Sequence, residues 1–265
     1  MLKGYTTPRT PKGTSSLAPT PPWHYVGVCL AVEYEADPDA VASFLPPGLD
    51  FHSPQCAAYF VDWQYASDTA DEYLDPIRSQ YRETIFLISA RYEGTLHAYC
   101  PFIWVDQDVA LMRGFAQGWP KQIGSTWMTR AYDLPSKAAP VVGPGGRFGA
   151  TLAVKDRRLA EAVVTLREET TQLPNPTFAG AVNTRHFPEL VAGRHDRPAV
   201  HELVQLKSRD VQISSIWKGD ALLKIFDHPY LELADLRPVK VLAGYRFTCA
   251  LTVDDLVFLR DLREK

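Results

Sequence analysis

Proline, scattered from one end of the chain to the other, is the strongest constraint on what this sequence can fold into. There are 21 prolines in 265 residues. A proline inside a helix removes a backbone donor and clashes with the preceding turn. Long helices are therefore excluded over most of the chain, and short segments joined by turns are favoured. The apolar residues between the prolines agree. Val26, Val28, Leu30 and Val32 alternate within Tyr25 to Tyr34, which predicts a strand. Ala57 to Tyr65 reads as an aromatic-rich strand. Thr84-Ile85-Phe86-Leu87-Ile88-Ser89 has the composition of a strand buried on both faces. Glu93-Gly94-Thr95 is a turn returning the chain as a strand over Leu96 to Val105. Strands are also expected over Ile123 to Tyr132, as one long strand over Val200 to Ile216, over Ala221 to Phe226, and over Val239 to Val253. Leu159 to Glu169 is open between helix and strand. Asp37-Pro38 predicts the start of a short helix, Ser67 to Asp75 a loop, and Asp254 to Lys265 a terminal helix. Met1 to Pro22, rich in Thr, Pro, Ser and Gly, is expected to be an irregular arm, followed by one domain over residues 23–265.

Charge narrows the function classes. A net charge of −3 gives no electrostatic pull toward nucleic acid or an anionic membrane. No segment is long and apolar enough to span a bilayer, and the N-terminus lacks a signal core. Cys29, Cys56, Cys100 and Cys249 are far apart and lack metal-ligand spacing. A reduced, cytoplasmic protein is the simplest reading. No cofactor is expected. Gly143-Pro144-Gly145-Gly146 has no Lys-Ser or Lys-Thr after it, so it reads as a turn and not a phosphate loop.

The chemistry centres on Asp106 to Thr126. Asp106 can cap a helix, with Asp108 in its first turn and Val109 and Met112 opening an apolar face. Gly114, Gly118 and Pro120 are expected to interrupt that helix. Lys121 follows at once, flanked by Trp119, Pro120, Gln122 and Ile123, none of them charged. An ammonium held in apolar surroundings loses solvation, and its pKa falls from about 10.4 toward neutrality. The neutral amine is then a nucleophile able to form a Schiff base with a ketone. The plainer alternative is an exposed lysine after a turn.

Trp119-Pro120-Lys121-Gln122-Ile123-Gly124 resembles the aromatic-Pro-Lys-Lys motif of the acetoacetate decarboxylase superfamily. Other segments agree in order: Asp39-Ala40-Val41 through Leu45-Pro46-Pro47-Gly48-Leu49, Tyr81-Arg82-Glu83, and Trp104-Val105-Asp106. Toward the C-terminus, Trp217-Lys218-Gly219, Phe226-Asp227-His228-Pro229 and Leu236-Arg237-Pro238-Val239 continue the likeness. The resemblance implies a β-rich α+β fold, a barrel-like pair of antiparallel sheets around a buried pocket, with a few short helices. It also implies a strand over Leu159 to Glu169, a Schiff-base role for Lys121, and a homo-oligomer. The chain departs from the family pattern in places. Gln122 stands where decarboxylases carry a second lysine, and Gly27 where an arginine is associated with the substrate carboxylate. Arg113-Gly114-Phe115 replaces Gly-Arg-Glu, and a family glutamate falls at Phe60.

Glu83 is retained. If buried beside Ile85, Phe86 and Leu87 it would have a raised pKa suited to proton transfer; alternatively it faces water or pairs with Arg82 or Arg91. Tyr81 shares its face of the strand and can donate its phenol to a substrate oxygen, or be core. Gln117, four residues before Lys121, can hold a carboxylate or carbonyl. Arg113 can bind a carboxylate, or pair with Asp106 or Asp108. Tyr245 is the remaining candidate acid or base. The resemblance, to a divergent aldolase-dehydratase branch of the superfamily, implies aldol condensation of pyruvate or another 2-oxo acid with an aldehyde, followed by dehydration. The alternatives are decarboxylation of a beta-keto acid and, with an inert lysine, small-molecule binding without catalysis. The expected partners are thus a keto acid and an aldehyde.

Overall fold

The computed structural model describes residues 1–263. Its elements, in order, begin with β1 (Trp23–Glu35), α1 (Pro38–Ser43), β2 (Asp50–Ser67), a 3-10 turn (Glu72–Leu74) and α2 (Pro76–Ser79). Then come β3 (Gln80–Tyr92), β4 (Thr95–Val105), α3 (Asp108–Gln117), β5 (Lys121–Ile123), β6 (Ser125–Met128), β7 (Arg147–Val154) and β8 (Arg157–Thr170). The chain closes with β9 (Val182–Phe187), β10 (Val200–Ile213), β11 (Ile216–Ile225), a second 3-10 turn (Glu232–Leu236) and β12 (Lys240–Asp261).

The β-rich architecture with few short helices is as expected. Its layers belong to a single 12-stranded ladder, in the order β5-β4-β3-β2-β1-β12-β11-β8-β7-β6, with β10 joining β12 to β9. Pairing is antiparallel except between β4 and β5, which run parallel. The ladder is not closed: β5 and β6 are its ends. It curls, however, so that β6 folds back against β3 and β4. Thr84 of β3 and Thr126 of β6 share a hydroxyl hydrogen bond of 2.6 Å there.

The period of two along β2 explains the burial. Ala57, Tyr59, Val61, Trp63 and Tyr65 enter one core; Cys56, Ala58 and Phe60 enter the other. The sheet centre is covered on both faces, which is why β3 reads as an unbroken apolar run. Asp37 caps α1, its carboxylate accepting from Asp39 N and Ala40 N at 3.0 Å each.

Several boundaries differ from the sequence reading. The C-terminal segment is strand: β12 runs to Asp261 because Leu256, Val257 and Phe258 pair with β10, a distant partner that local sequence does not reveal. Residues 264 and 265 of the expected helix lie outside the described ones. Val200 to Ile216 divides at Ser214, and Ala221 to Phe226 falls mostly within β11. The strand expected over Ile123 to Tyr132 is confined to β5 and β6. Leu159 to Glu169 is strand, as the resemblance implies. Asp106 does not cap α3. Its carboxylate accepts from Arg82 N at 2.8 Å and pairs with Arg82 Nε at 3.3 Å, leaving Gln107 at the cap position.

Candidate active site

Helix α3 and strand β5 create the setting of Lys121. Gly114 does not interrupt α3; the helix passes through it and ends at Gly118, whose φ of 83° lies in the left-handed region. Trp119 N donates to Gly114 O at 2.9 Å, closing the helix end. The chain reverses, and Lys121 opens β5 opposite Ile103 of β4. Its side chain returns across Gly114. A Cβ built at Gly114 would stand 2.6 Å from Lys121 Cγ and 2.8 Å from Cε. Glycine is thus required here for close approach and not for its backbone freedom.

Lys121 is 8% exposed and Glu83 4%. Lys121 Nζ lies 2.6 Å from Glu83 Oε1. The other carboxylate oxygen, Oε2, accepts from Trp63 Nε1 at 2.8 Å. Burial holds the Lys121 pKa below the ordinary lysine value. Glu83 opposes that shift by charge and hydrogen bonding, and the Arg113 guanidinium adds to it. Desolvation is the leading cause, and the neighbouring cation that position 122 does not supply comes, in lesser part, from Arg113. Tyr81, also buried, has its pKa pushed well up, first by burial and then by the Glu83 charge. Its phenol therefore stays protonated and can donate.

A narrow pocket of about 50 Å³ is lined by Lys121, Glu83, Tyr81 and Gln117 together with Tyr25, Trp63, Trp119 and apolar side chains. Gln117 is 7% exposed, and its amide nitrogen has no partner among the described residues. Four of the six candidate residues are therefore brought together. Arg113 stands behind the wall. It is fully buried, its guanidinium 3.5 Å from the centre of the Tyr65 ring, and none of its three guanidinium nitrogens has a hydrogen-bond partner among the described residues. It pairs with neither Asp106 nor Asp108. Tyr245 does not line the pocket; its hydroxyl donates to Glu33 Oε2 at 2.8 Å.

Sequence reasoning missed Trp63 and Tyr25. Trp63 was discoverable, because β2 alternation places it on the face of Tyr59 and Val61. It also faces Gly27 across the β1–β2 ladder. A Cβ at Gly27 would stand 2.9 Å from Trp63 Cδ2 and 2.9 Å from Asp62 O. The indole thus fills the space that a side chain at position 27 would need. Phe60, by contrast, points into the opposite core and cannot serve the pocket.

A buried lysine touching a carboxylate in a pocket, on an open β-sheet with few helices, defines a site for a small molecule. The acetoacetate decarboxylase (ADC) family model matches residues 6–262, and the chain belongs to that family. It is similar to the enduracididine biosynthesis enzyme MppR, solved in complex with the condensation product of pyruvate and imidazole 4-carboxaldehyde. The identity is 38% and the TM-score 0.92, covering 99% of this chain and 98% of that one. An acetoacetate decarboxylase-like enzyme from Sphingomonas wittichii RW1 shares the fold at 24% identity and a TM-score of 0.90, covering 98% of this chain and all of that one. Acetoacetate decarboxylase 1 of Bradyrhizobium diazoefficiens is 22% identical over 84% of this chain and 80% of its own length.

Proposed function

We propose that the protein is a Schiff-base-forming lyase that condenses pyruvate or a related 2-oxo acid with an aldehyde and then eliminates water. The observation that carries this is the buried contact of 2.6 Å between Lys121 Nζ and Glu83 Oε1. The likeness to MppR, solved with pyruvate and with a pyruvate–aldehyde product, supports it.

Neutral Lys121 attacks the keto carbon; with one proton taken up from solvent, the carbinolamine hydroxyl leaves as water to give an iminium, and the final hydrolysis returns that proton. Glu83, adjacent to the nitrogen, accepts a proton from the methyl carbon beside the iminium, giving an enamine. The enamine carbon bonds to the aldehyde carbon while the aldehyde oxygen takes a proton. Loss of a second proton from the same carbon and of that hydroxyl as water gives the unsaturated iminium. Hydrolysis then frees Lys121 and the unsaturated 2-oxo acid. Tyr81 and Gln117 supply donors to the oxygens that gain charge on this path.

Decarboxylation of a beta-keto acid is the second reading, supported by the distant decarboxylase relatives. Gly27 weighs against that reading, since the Trp63 indole fills the space where a side chain at position 27 would stand. Borohydride trapping with pyruvate and, separately, with acetoacetate tests both, read by intact mass, peptide mapping and CO2 release. A pyruvate adduct on Lys121 is expected. An acetoacetate-derived adduct with CO2 would restore the decarboxylase, and no adduct with either acid would refute both. A cytoplasmic homo-oligomer completes the proposal. Four free cysteines and the exposed Tyr73, Leu74 and Ile77 support it, and light scattering tests the assembly.

A further inference from the structure

A second cavity adjoins the pocket. It offers about 420 Å³, against about 50 Å³ inside. Gln117 and Val253 line both, so the two spaces meet at those side chains. The inner space suits only a small keto acid beside Lys121; any sizeable substituent on the aldehyde must extend outward. The buried amide nitrogen of Gln117, without a hydrogen-bond partner among the described residues, places a donor for a substrate oxygen at the junction.

The outer lining has a definite chemistry. Tyr5, Trp23 and Phe258 give it aromatic walls, and Tyr5 and Trp23 meet edge to face at 6.3 Å. One arginine, Arg185, stands among three carboxylates: Glu202, Asp254 and Asp255. Arg185 is engaged by Glu202 at 3.2 Å, and Asp254 by Arg209 from outside the cavity. Asp255 has no cationic partner among the described residues, although Lys207 stands opposite it in the β10–β12 ladder. Asp255 Oδ1 accepts from Leu256 N at 2.8 Å, and the carboxylate keeps its charge and its second oxygen. A carboxylate without a cationic partner, beside aromatic faces, is a receptor for an organic cation.

We propose that this outer cavity is the acceptor subsite of the lyase reaction. It selects aldehydes whose substituent carries a cationic nitrogen, held by Asp255 against Tyr5 and Trp23. The inference rests on the condensation reading for its catalytic consequence, but the subsite itself can be tested without it.

The first experiment compares three acceptors with pyruvate: a butanal capped by trimethylammonium, its neutral tert-butyl isostere, and the anionic semialdehyde of succinate. The cationic aldehyde is expected to exceed the neutral isostere in kcat/KM by about tenfold, and the anionic one by more. Asp255→Asn should cut the cationic preference about threefold or more, while pyruvate trapping on Lys121 stays unchanged. Equal kcat/KM for the cationic and neutral aldehydes, or a preference untouched by Asp255→Asn, overturns the proposal. Calorimetric titration with butyltrimethylammonium, which cannot react, reads the subsite directly. Binding weakened by Asp255→Asn supports it even if Lys121 traps no pyruvate, in which case the Schiff-base reading alone fails. No binding overturns it.

Discussion

Replacing Gly114 with alanine should separate the fold of this enzyme from its chemistry. The new methyl would stand 2.6 Å from Lys121 Cγ and 2.8 Å from Cε, and closer still to Cδ. Carbon atoms in van der Waals contact need about 3.5–4.0 Å. The lysine stem must therefore retreat by about 1 Å, because α3 is held by the buried Ala110 and Arg113. That retreat breaks the contact of 2.6 Å between Lys121 Nζ and Glu83 Oε1. A misplacement of about 1 Å at a reacting group costs about a hundredfold in rate. Stability should change far less. Alanine gains about 1 kcal/mol over glycine inside a helix, against about 1–3 kcal/mol for an overfilled site. The net change of about 0–2 kcal/mol corresponds to at most about 8 °C in Tm for a chain of this size. The assay pairs kcat/KM for condensation and the borohydride trapping rate with thermal denaturation followed by circular dichroism. A Gly114→Ala enzyme that traps pyruvate at the wild-type rate would refute the argument that glycine admits the lysine. So would activity lost only in proportion to unfolded protein.

Other consequences are equally direct. The ascending limb of the pH profile for Lys121 trapping, along which the ammonium loses its proton, should have its midpoint below 10.5, because burial disfavours the ammonium form. Glu83→Gln should move that midpoint further down by removing a charge that raises the lysine pKa, and Arg113→Met should move it up; shifts of opposite sign would contradict the assignment. Trp63→Phe removes the donor to Glu83 Oε2. A hydrogen bond to a charged group is worth about 1.5–3 kcal/mol, so kcat/KM should fall about tenfold or more in steady-state assays. Gly27→Ala should lower stability by about 1–3 kcal/mol in urea denaturation, since its methyl meets Trp63 and Asp62 O.

The strands were legible wherever alternation or a buried apolar run marks them, as in β1 and β3. The terminal strand was not, because Leu256 to Phe258 is fixed as strand by β10, which enters the sheet about fifty residues earlier. Lys121 stood out through its uncharged neighbours, and Glu83 through its place beside Tyr81. What buries them is less visible. Gly114 reads locally as a helix breaker, whereas its missing side chain serves a residue seven positions on. Arg113 was legible as a cation near the site, but its aromatic enclosure by Tyr65, Tyr25 and Tyr81 comes from three different strand segments. Tyr245 alternates correctly, yet its hydroxyl reaches Glu33, a contact that only the β1–β12 register decides.

The placement of β12 has a consequence for how such an enzyme diversifies. Lys121, Glu83, Tyr81 and Gln117 all lie between residues 81 and 121. Leu251 and Val253 of β12 bound the inner space, and Asp254 to Leu256 and Phe258 bound the outer one. If the outer cavity is the acceptor subsite proposed above, one stretch of β12 supplies much of its wall, apart from the segment that carries the nucleophile. A library confined to codons 254–258 would sample new acceptors while leaving the nucleophile and its partners intact. A chimera that exchanges only the last strand between family members should inherit its acceptor range from the donor of that strand.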